Sequence, residues 1–264
     1  MKLPALALAL LALLPALPLA APPPAATAHE LRVAMLPPAT PAASNSESGS
    51  VTALNDALTR ELCQRLAVRC EVTRMPFAEV IPGIESGRYQ LGVANVLRTP
   101  EREERVLFTQ MLWRSSSRLV ARPQTVERHG GPALQLAQLS GVTIAAERGT
   151  QQHRYLARIS EKQNLKLLET TAVGDAMRAT LDGRADFALM PVRSAYFLLQ
   201  QQSPGEITFA GQAMVQDGLG GTVHMILPKG SDVLRQEVDA AIDAMRRDGT
   251  FQRILRRHMP FLAD

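Results

Sequence analysis

The chain is poor in aromatic residues and in cysteine. Aromatic side chains make up 4% of its 264 residues, with one Trp and three Tyr, and only two Cys are present. Two Cys exclude a cysteine-rich disulfide framework, and without further ligands beside them no metal site is expected. A basic stripe interleaved with aromatics is also absent, so nucleic-acid binding is a poor interpretation despite a net charge of +4.

The amino terminus has the composition of a targeting segment. Met1-Lys2 is followed by a Leu/Ala run over 3–20 and by a Pro/Ala-rich stretch that ends at Ala26-Thr27-Ala28. This pattern predicts a secretory signal peptide over 1–28, cleaved after Ala28. An uncleaved membrane anchor is the alternative, and the prolines inside the run argue against it. The remaining chain is long enough for a buried core, in one domain or two small ones.

The two cysteines, Cys63 and Cys70, lie seven positions apart. In an exported protein such a pair predicts a disulfide, here between the end of a helix and the start of the next strand. Closing this short loop stabilises the fold by about 2 to 3 kcal/mol in the chain-entropy model.

Hydrophobic periodicity predicts an α/β protein built from two cycles. Strand-like segments alternate with a helical stripe over 51–66 in the first cycle, and the same alternation restarts at 142. Pro123 to Pro132 has the composition of a linker, and a long amphipathic helix over 233–259 is interrupted at Asp248-Gly249. We expect two lobes, 29–116 plus 220–264 and 117–219, joined by two extended hinge segments with a ligand cleft between them.

The segment Thr99-Pro100-Glu101-Arg102 directly follows the buried strand that begins at Leu91. Thr99 is a favourable N-cap, Pro100 suits the first helical position, and acidic residues suit the first turn. A strand that ends on a polar turn opening a helix predicts a ligand-facing edge.

This corner and three other blocks resemble the family 3 periplasmic solute-binding proteins, the amino-acid receptors of bacterial ABC importers. The resemblance spans 31–261 and is nearest in layout to the lysine/arginine/ornithine and histidine receptors. The other blocks are Pro76 to Gly87, Leu181 to Asp186, and Leu227 to Gly230 with Ala244 to Thr250. It implies a two-lobed type II periplasmic binding protein fold, a periplasmic location, a single ligand, a membrane permease as partner, a monomer and no cofactor.

The resemblance also implies a ligand site. Arg102 matches the arginine whose planar guanidinium pairs with the ligand carboxylate. Thr150 matches a second-lobe residue at a helix start, where anions are favoured. Phe77 matches an aromatic that packs on the ligand side chain. The remaining expected ligand-binding residues are Asn95, Leu97, Gln151 and Pro191.

Several positions depart from the family pattern. Leu97 replaces a hydroxyl, Ala39 replaces an aromatic platform, and Leu36 replaces a carboxylate found in the receptors for basic ligands. Pro191 falls near the aspartate that pairs with the ligand ammonium, while Asp186 is expected to be structural. Burying an ammonium without a counter-charge costs several kcal/mol, so these departures predict an anionic ligand with an apolar body.

Two further arginines, Arg98 and Arg193, are possible extra contacts for such an anion. Each would strengthen the preference for a carboxylate if its side chain reached the cleft.

Other functions remain open. The chain has no G-x-S-x-G, H-E-x-x-H or P-loop motif, so we expect a binding protein rather than an enzyme. A dehydratase of the cyclohexadienyl type is one alternative, for which Glu147 and Glu79 are the available acids. A periplasmic accessory protein that uses a degenerate pocket as a docking surface is the other.

Overall fold

The computed structural model describes residues 30–38 and 51–258. The predicted signal peptide and Ala39 lie outside these ranges. The strands are β1 (Glu30–Met35), β2 (Arg69–Arg74), β3 (Leu91–Leu97), β4 (Val106–Phe108), β5 (Trp113–Ser115), β6 (Ser117–Ala121), β7 (Thr143–Glu147), β8 (Lys166–Thr170), β9 (Phe187–Pro191), β10 (Thr208–Met214) and β11 (Gly221–Pro228). The helices are α1 (Val51–Arg65), α2 (Phe77–Glu85), α3 (Pro100–Arg105), α4 (Pro123–Arg128), α5 (Gln151–Ile159), α6 (Val173–Leu181), α7 (Val192–Leu199), α8 (Asp232–Arg247) and α9 (Thr250–His258).

The first sheet has the strand order β2-β1-β3-β11-β4, with β5 also paired to β11. The strands β1, β2 and β3 run parallel, whereas β11 is antiparallel to its neighbours. Helices α1, α8 and α9 pack on one face through Leu54, Leu58, Ile242 and Phe251, all at most 2% exposed. Helix α2 covers the other face through Val80 and Ile84.

The second sheet has the order β10-β6-β9-β7-β8 and is formed entirely by strands between 117 and 214. Here β7 is parallel to both β8 and β9, while β6 is antiparallel to β9 and β10. Two apolar clusters, centred on Phe187 and Met177, pack on its two faces. Each sheet therefore has helices over its faces and a core of its own, as parallel α/β sheets require.

The chain crosses between the sheets at two places, from β5 to β6 and from β10 to β11. A buried polar network joins the two crossings: the Ser117 hydroxyl donates to the Leu219 carbonyl, and the Gln152 amide donates to the Ser117 oxygen over 2.8 Å. The Ser117 hydroxyl both donates and accepts in this network, so it links the two crossings to helix α5.

Most predicted elements are present, with two differences. The segment over 123–132 predicted as a linker contains helix α4 and a 3-10 turn at Gly131–Ala133, because Pro123 occupies the first helical position where its missing N–H has no cost. Helix α7 was not predicted. The expected interruption at Asp248-Gly249 is found between α8 and α9, where Gly249 has a φ of +77°.

The predicted disulfide is present. Cys63 near the end of α1 is bonded to Cys70 in β2, with the two Cα atoms 6.1 Å apart. Within the described ranges, no helix is both long and apolar enough to cross a lipid bilayer.

Candidate functional site

A cleft with a cavity volume of about 100 Å³, partly open to solvent, lies where the two sheets face each other. Its walls include residues at or just beyond the carboxyl ends of four parallel strands: Leu36 after β1, Leu97 of β3, Glu147 of β7 and Pro191 of β9. The carboxyl edge of a parallel sheet is the usual position of a ligand site in α/β proteins. The predicted residues Phe77, Asn95, Leu97, Arg102, Thr150, Gln151, Pro191 and Arg193 all line this cleft.

Arg102 is the most buried charged group of the site, with 1% of its surface exposed. Its backbone N–H donates to the Thr99 hydroxyl at the start of α3, over 3.3 Å, so the predicted N-cap holds it in place. One terminal nitrogen donates to the Leu97 carbonyl at 2.9 Å and the other to the Gly149 carbonyl at 3.3 Å. The guanidinium therefore spans the cleft between the two halves of the chain.

The charge of Arg102 has no salt-bridge partner in the described part of the chain, although Glu101 lies near enough to favour it. Within residues 30–38 and 51–258 no carboxylate forms a salt bridge with it, and its buried Nε has no hydrogen-bond partner. Burial, followed by the nearby Arg154, lowers the pKa of Arg102 to about 10, so the group stays protonated at neutral pH. A buried cation with a free donor is favourable only if an anion joins it.

Phe77 and Thr150 flank Arg102 from different halves. The Phe77 ring centre lies 5.3 Å from the Arg102 Cζ, a cation–π contact. Thr150 caps α5: its hydroxyl accepts from the His153 N–H at 3.2 Å and donates to the Glu147 carbonyl at 2.6 Å. Because both hydroxyl functions are used within the turn, an anion at this point would meet the first N–H groups of α5, beginning with Gln151.

Asn95 interrupts β3 with a left-handed backbone, at a φ of +55°. The pairing of β3 with β11 changes register at this point, which indicates a β-bulge. Asn95 lines the cleft, and its buried Oδ1 has no partner among the described residues. Asn tolerates this conformation better than most residues, and such strain is concentrated at functional sites.

Arg98 and Arg193, the two additional arginines, differ in whether they line the cleft. Arg193 on α7 lines the cleft, with its Cζ 5.4 Å from the Trp113 ring centre, and burial lowers its pKa. Arg98 does not line the cleft. It is half-exposed and pairs with Glu103, so its charge is already neutralised at the surface.

Glu147 and Glu79, the two acids that the sequence offers for a dehydratase, differ in whether they line the cleft. Glu79 is exposed and does not line the cleft. Glu147 lines it, and desolvation raises the pKa of its carboxyl group to about 8, with the Phe77 N–H opposing this rise and Asp175 adding to it. Asp186 accepts from the Thr143 N–H at 2.8 Å, the structural role predicted for it.

Sequence reasoning missed other residues of the cleft wall. Asn55 on α1 is 1% exposed, and neither atom of its amide has a partner in the described part of the chain. Trp113 of β5 is 7% exposed and also lines the cleft. Asn55 is a polar residue among the apolar positions of the predicted helix, next to Leu54 and Leu58. This polar residue on an apolar face was the sequence feature that could have indicated a site residue.

The two halves touch along one side of the cleft. A Cβ atom placed on Gly149 would lie 2.9 Å from the Ala78 Cα, so only glycine permits this approach of the 147–150 turn to α2. Arg154 on α5 also pairs with Glu101 on α3. Together with the bond from Arg102 to Gly149, these contacts describe a closed cleft.

Comparison with known proteins agrees with this geometry. Residues 31–261 match the family model of bacterial extracellular solute-binding proteins, family 3, and the chain belongs to that family. It is 24% identical over 239 residues to the histidine-binding periplasmic protein of Salmonella typhimurium, covering 90% of both chains. It is 25% identical over 227 residues to the lysine/arginine/ornithine-binding periplasmic protein of Escherichia coli, covering 84% of both.

Solved structures of solute-binding proteins have the same fold as this chain. An ancestral arginine-binding protein bound to arginine superposes with a TM-score of 0.76 at 18% identity, covering 89% of this chain and all of the other. The predicted two-lobed type II periplasmic binding protein fold is therefore confirmed, and the chain is a solute-binding protein.

The close approach at Gly149 can be tested by substitution. Gly149→Ala places a methyl group against the backbone of Ala78, at a cost of about 1 to 3 kcal/mol. Separation of the two halves relieves this contact, so we expect a larger radius of gyration by X-ray scattering. Gly230→Ala is the control, because Gly230 has a φ of +82°, close to the +80° of Gly149, with nothing within 4 Å of its Cβ position. Equal radii for the two variants would contradict the closed contact.

The pKa of Glu147 predicts a pH-dependent stability difference. Its folded pKa of about 8 is above the ordinary 4.5, so the folded state keeps a proton that the unfolded state releases. The stabilisation is complete below about pH 4.5 and is lost as the pH rises to about 8, by at most about 1.4 kcal/mol per pH unit. Glu147→Gln does not titrate, so its melting temperature relative to the parent should increase across this range. A constant difference would rule out the raised pKa.

Proposed function

We propose that the chain captures a small carboxylate-bearing solute, an amino acid or a related organic acid, for ABC-type import. The observation that supports this proposal is the buried charge of Arg102 in the cleft wall, which has no salt-bridge partner among residues 30–38 and 51–258. A carboxylate is the planar, bidentate partner that a guanidinium accepts best, and its binding would remove an unfavourable buried charge.

The remaining lining residues support a small, partly polar ligand. Phe77 and Trp113 provide apolar walls, and Asn55 and Asn95 provide unpaired amide atoms for polar groups of the ligand. Arg193 adds a second cation to the wall. The relatives that carry names of histidine, lysine, arginine and ornithine receptors support an amino acid within this class.

The biological setting follows from the family and the amino-terminal composition. We propose export to the periplasm by a signal peptide over 1–28, action as a monomer, and delivery of the ligand to a membrane permease. We also propose lobes over 29–116 plus 220–264 and over 117–219. The division of strands between the two sheets supports these boundaries.

Two alternatives have less support. A dehydratase needs a general acid near the reacting group; Glu79 lies outside the cleft lining, which leaves Glu147 as the acid in the wall. A docking protein with a degenerate pocket would gain nothing from an unpaired buried guanidinium, whose desolvation is unfavourable without an anion.

Arg102 gives the direct test. Arg102→Lys keeps the positive charge but loses the planar fork, so we expect affinity for carboxylate ligands to fall by about 10- to 100-fold. The measurement is isothermal titration calorimetry with L-histidine, L-arginine and L-glutamate, and with the carboxamide of each.

The control is Arg98→Lys, because Arg98 is half-exposed and paired with Glu103 outside the cleft. This variant should bind as the parent does. The proposal also requires the parent to prefer each acid over its carboxamide. If the carboxamides bind as tightly as the acids, or if Arg102→Lys binds normally, a carboxylate at Arg102 is ruled out.

A further inference from the structure

A carboxyl group without a cationic partner lies in the cleft wall at Glu147, the last residue of β7. Over residues 30–38 and 51–258, no Lys, Arg or His forms a salt bridge with it. Other acids of this region do have cationic partners. Glu169 pairs with Arg148 and His153. Glu101 pairs with Arg154. Glu147 is therefore an acid that the fold leaves unpaired at the ligand side of the sheet.

The groups that face Glu147 come from both halves of the chain. From α2, the Phe77 N–H donates toward the carboxyl group, and from α6 the carboxylate of Asp175 repels its charged form. Thr150 and Gly149, next to it in the same turn, contact Arg102 or the helix start rather than its carboxyl group. A positively charged group entering the cleft would favour the charged form of Glu147 and so offset both the desolvation and the repulsion.

The cleft thus carries a cation without a carboxylate partner and an acid without a cationic partner among the described residues. Arg102 is a buried cation contributed by α3, and Glu147 is an acid contributed by β7 of the other sheet. A ligand with only a carboxylate satisfies the first and leaves the second protonated. A ligand with both charges satisfies both and connects the two halves.

We propose that Glu147 is a specificity-determining residue that binds a positively charged nitrogen of the ligand, an ammonium or a guanidinium. This inference rests on the proposed function, in which Arg102 holds the carboxylate of the same ligand. It replaces the expectation of an apolar-bodied anion, which followed from the absence of acids at Leu36 and Pro191. The acid is supplied from a different strand end.

The burial of the site would strengthen an ion pair between Glu147 and the ligand. An ion pair formed where protein and ligand exclude water is stronger than one at the surface, and a buried acid left without its cation is unfavourable. Hydrogen bonds at element ends hold both residues in place. Arg102 lies in the N-capped first turn of α3, and Glu147 precedes the capped start of α5. Their positions are set before the ligand arrives.

The test uses four probes that differ in their charged nitrogens. L-arginine has both an α-ammonium and a guanidinium, L-citrulline lacks the guanidinium, argininic acid lacks the α-ammonium, and pentanoate lacks both. Dissociation constants are measured by calorimetry at neutral pH for the parent, Glu147→Gln and Glu79→Gln. Glu79→Gln removes the same charge from an exposed position outside the cleft lining.

We expect the parent and Glu79→Gln to bind L-arginine at least about tenfold more tightly than one of the two singly deleted probes. The probe that loses affinity identifies which nitrogen Glu147 binds. Glu147→Gln should lose this preference while it still binds that probe as the parent does, which shows that the variant is folded.

Three results would overturn the inference. A preference retained in Glu147→Gln excludes Glu147 as its source. Parent binding of pentanoate as tight as that of L-arginine leaves the proposed carboxylate function intact and removes the role of Glu147. Parent binding of none of the four probes contradicts both proposals.

Discussion

The structure of the site depends on one electrostatic constraint, the burial of the Arg102 guanidinium without a carboxylate partner among the described residues. Such a charge is unfavourable in a folded protein unless an anion accompanies it. The protein holds the group with two carbonyl acceptors, one from each half of the chain, and with the Phe77 ring. Within residues 30–38 and 51–258 the buried Nε has no hydrogen-bond partner, so one donor of the guanidinium is left unsatisfied.

The turn over 147–150 connects this constraint to the closed shape of the cleft. Its Gly149 carbonyl accepts from Arg102, its Gly149 Cα approaches Ala78, its Thr150 caps α5, and its Glu147 lies in the wall. Three residues of this turn fill four roles, so the turn contributes both to the cleft wall and to the contact between the halves. Ligand binding at Arg102 or Glu147 would therefore act directly on the contact between the halves.

Local signals in the sequence predicted much of this structure. The capping pattern at Thr99 to Arg102 correctly predicts the start of α3, because N-cap chemistry depends on adjacent residues. The Cys63 and Cys70 pair and the break at Gly249 are local as well. Helix α4 was missed because a proline at its start was interpreted as part of a linker, although the first helical turn tolerates proline.

The features that sequence reasoning did not predict depend on tertiary contacts. The bulge at Asn95 arises from the register with β11, a strand that begins at Gly221, and no local pattern encodes it. The raised pKa of Glu147 results from burial against α2 and α6, which only the folded chain brings together. The positions where the family has acids, here Leu36 and Pro191, do not point to Glu147, because Glu147 lies at the end of a different strand, β7.

The most direct measurement is a crystal structure of the protein with a bound carboxylate ligand. We expect a carboxylate oxygen within hydrogen-bond distance of the Arg102 Nε, the donor that has no partner among the described residues. A complex in which the ligand occupies the cleft while the Arg102 Nε stays unpaired would contradict the central claim.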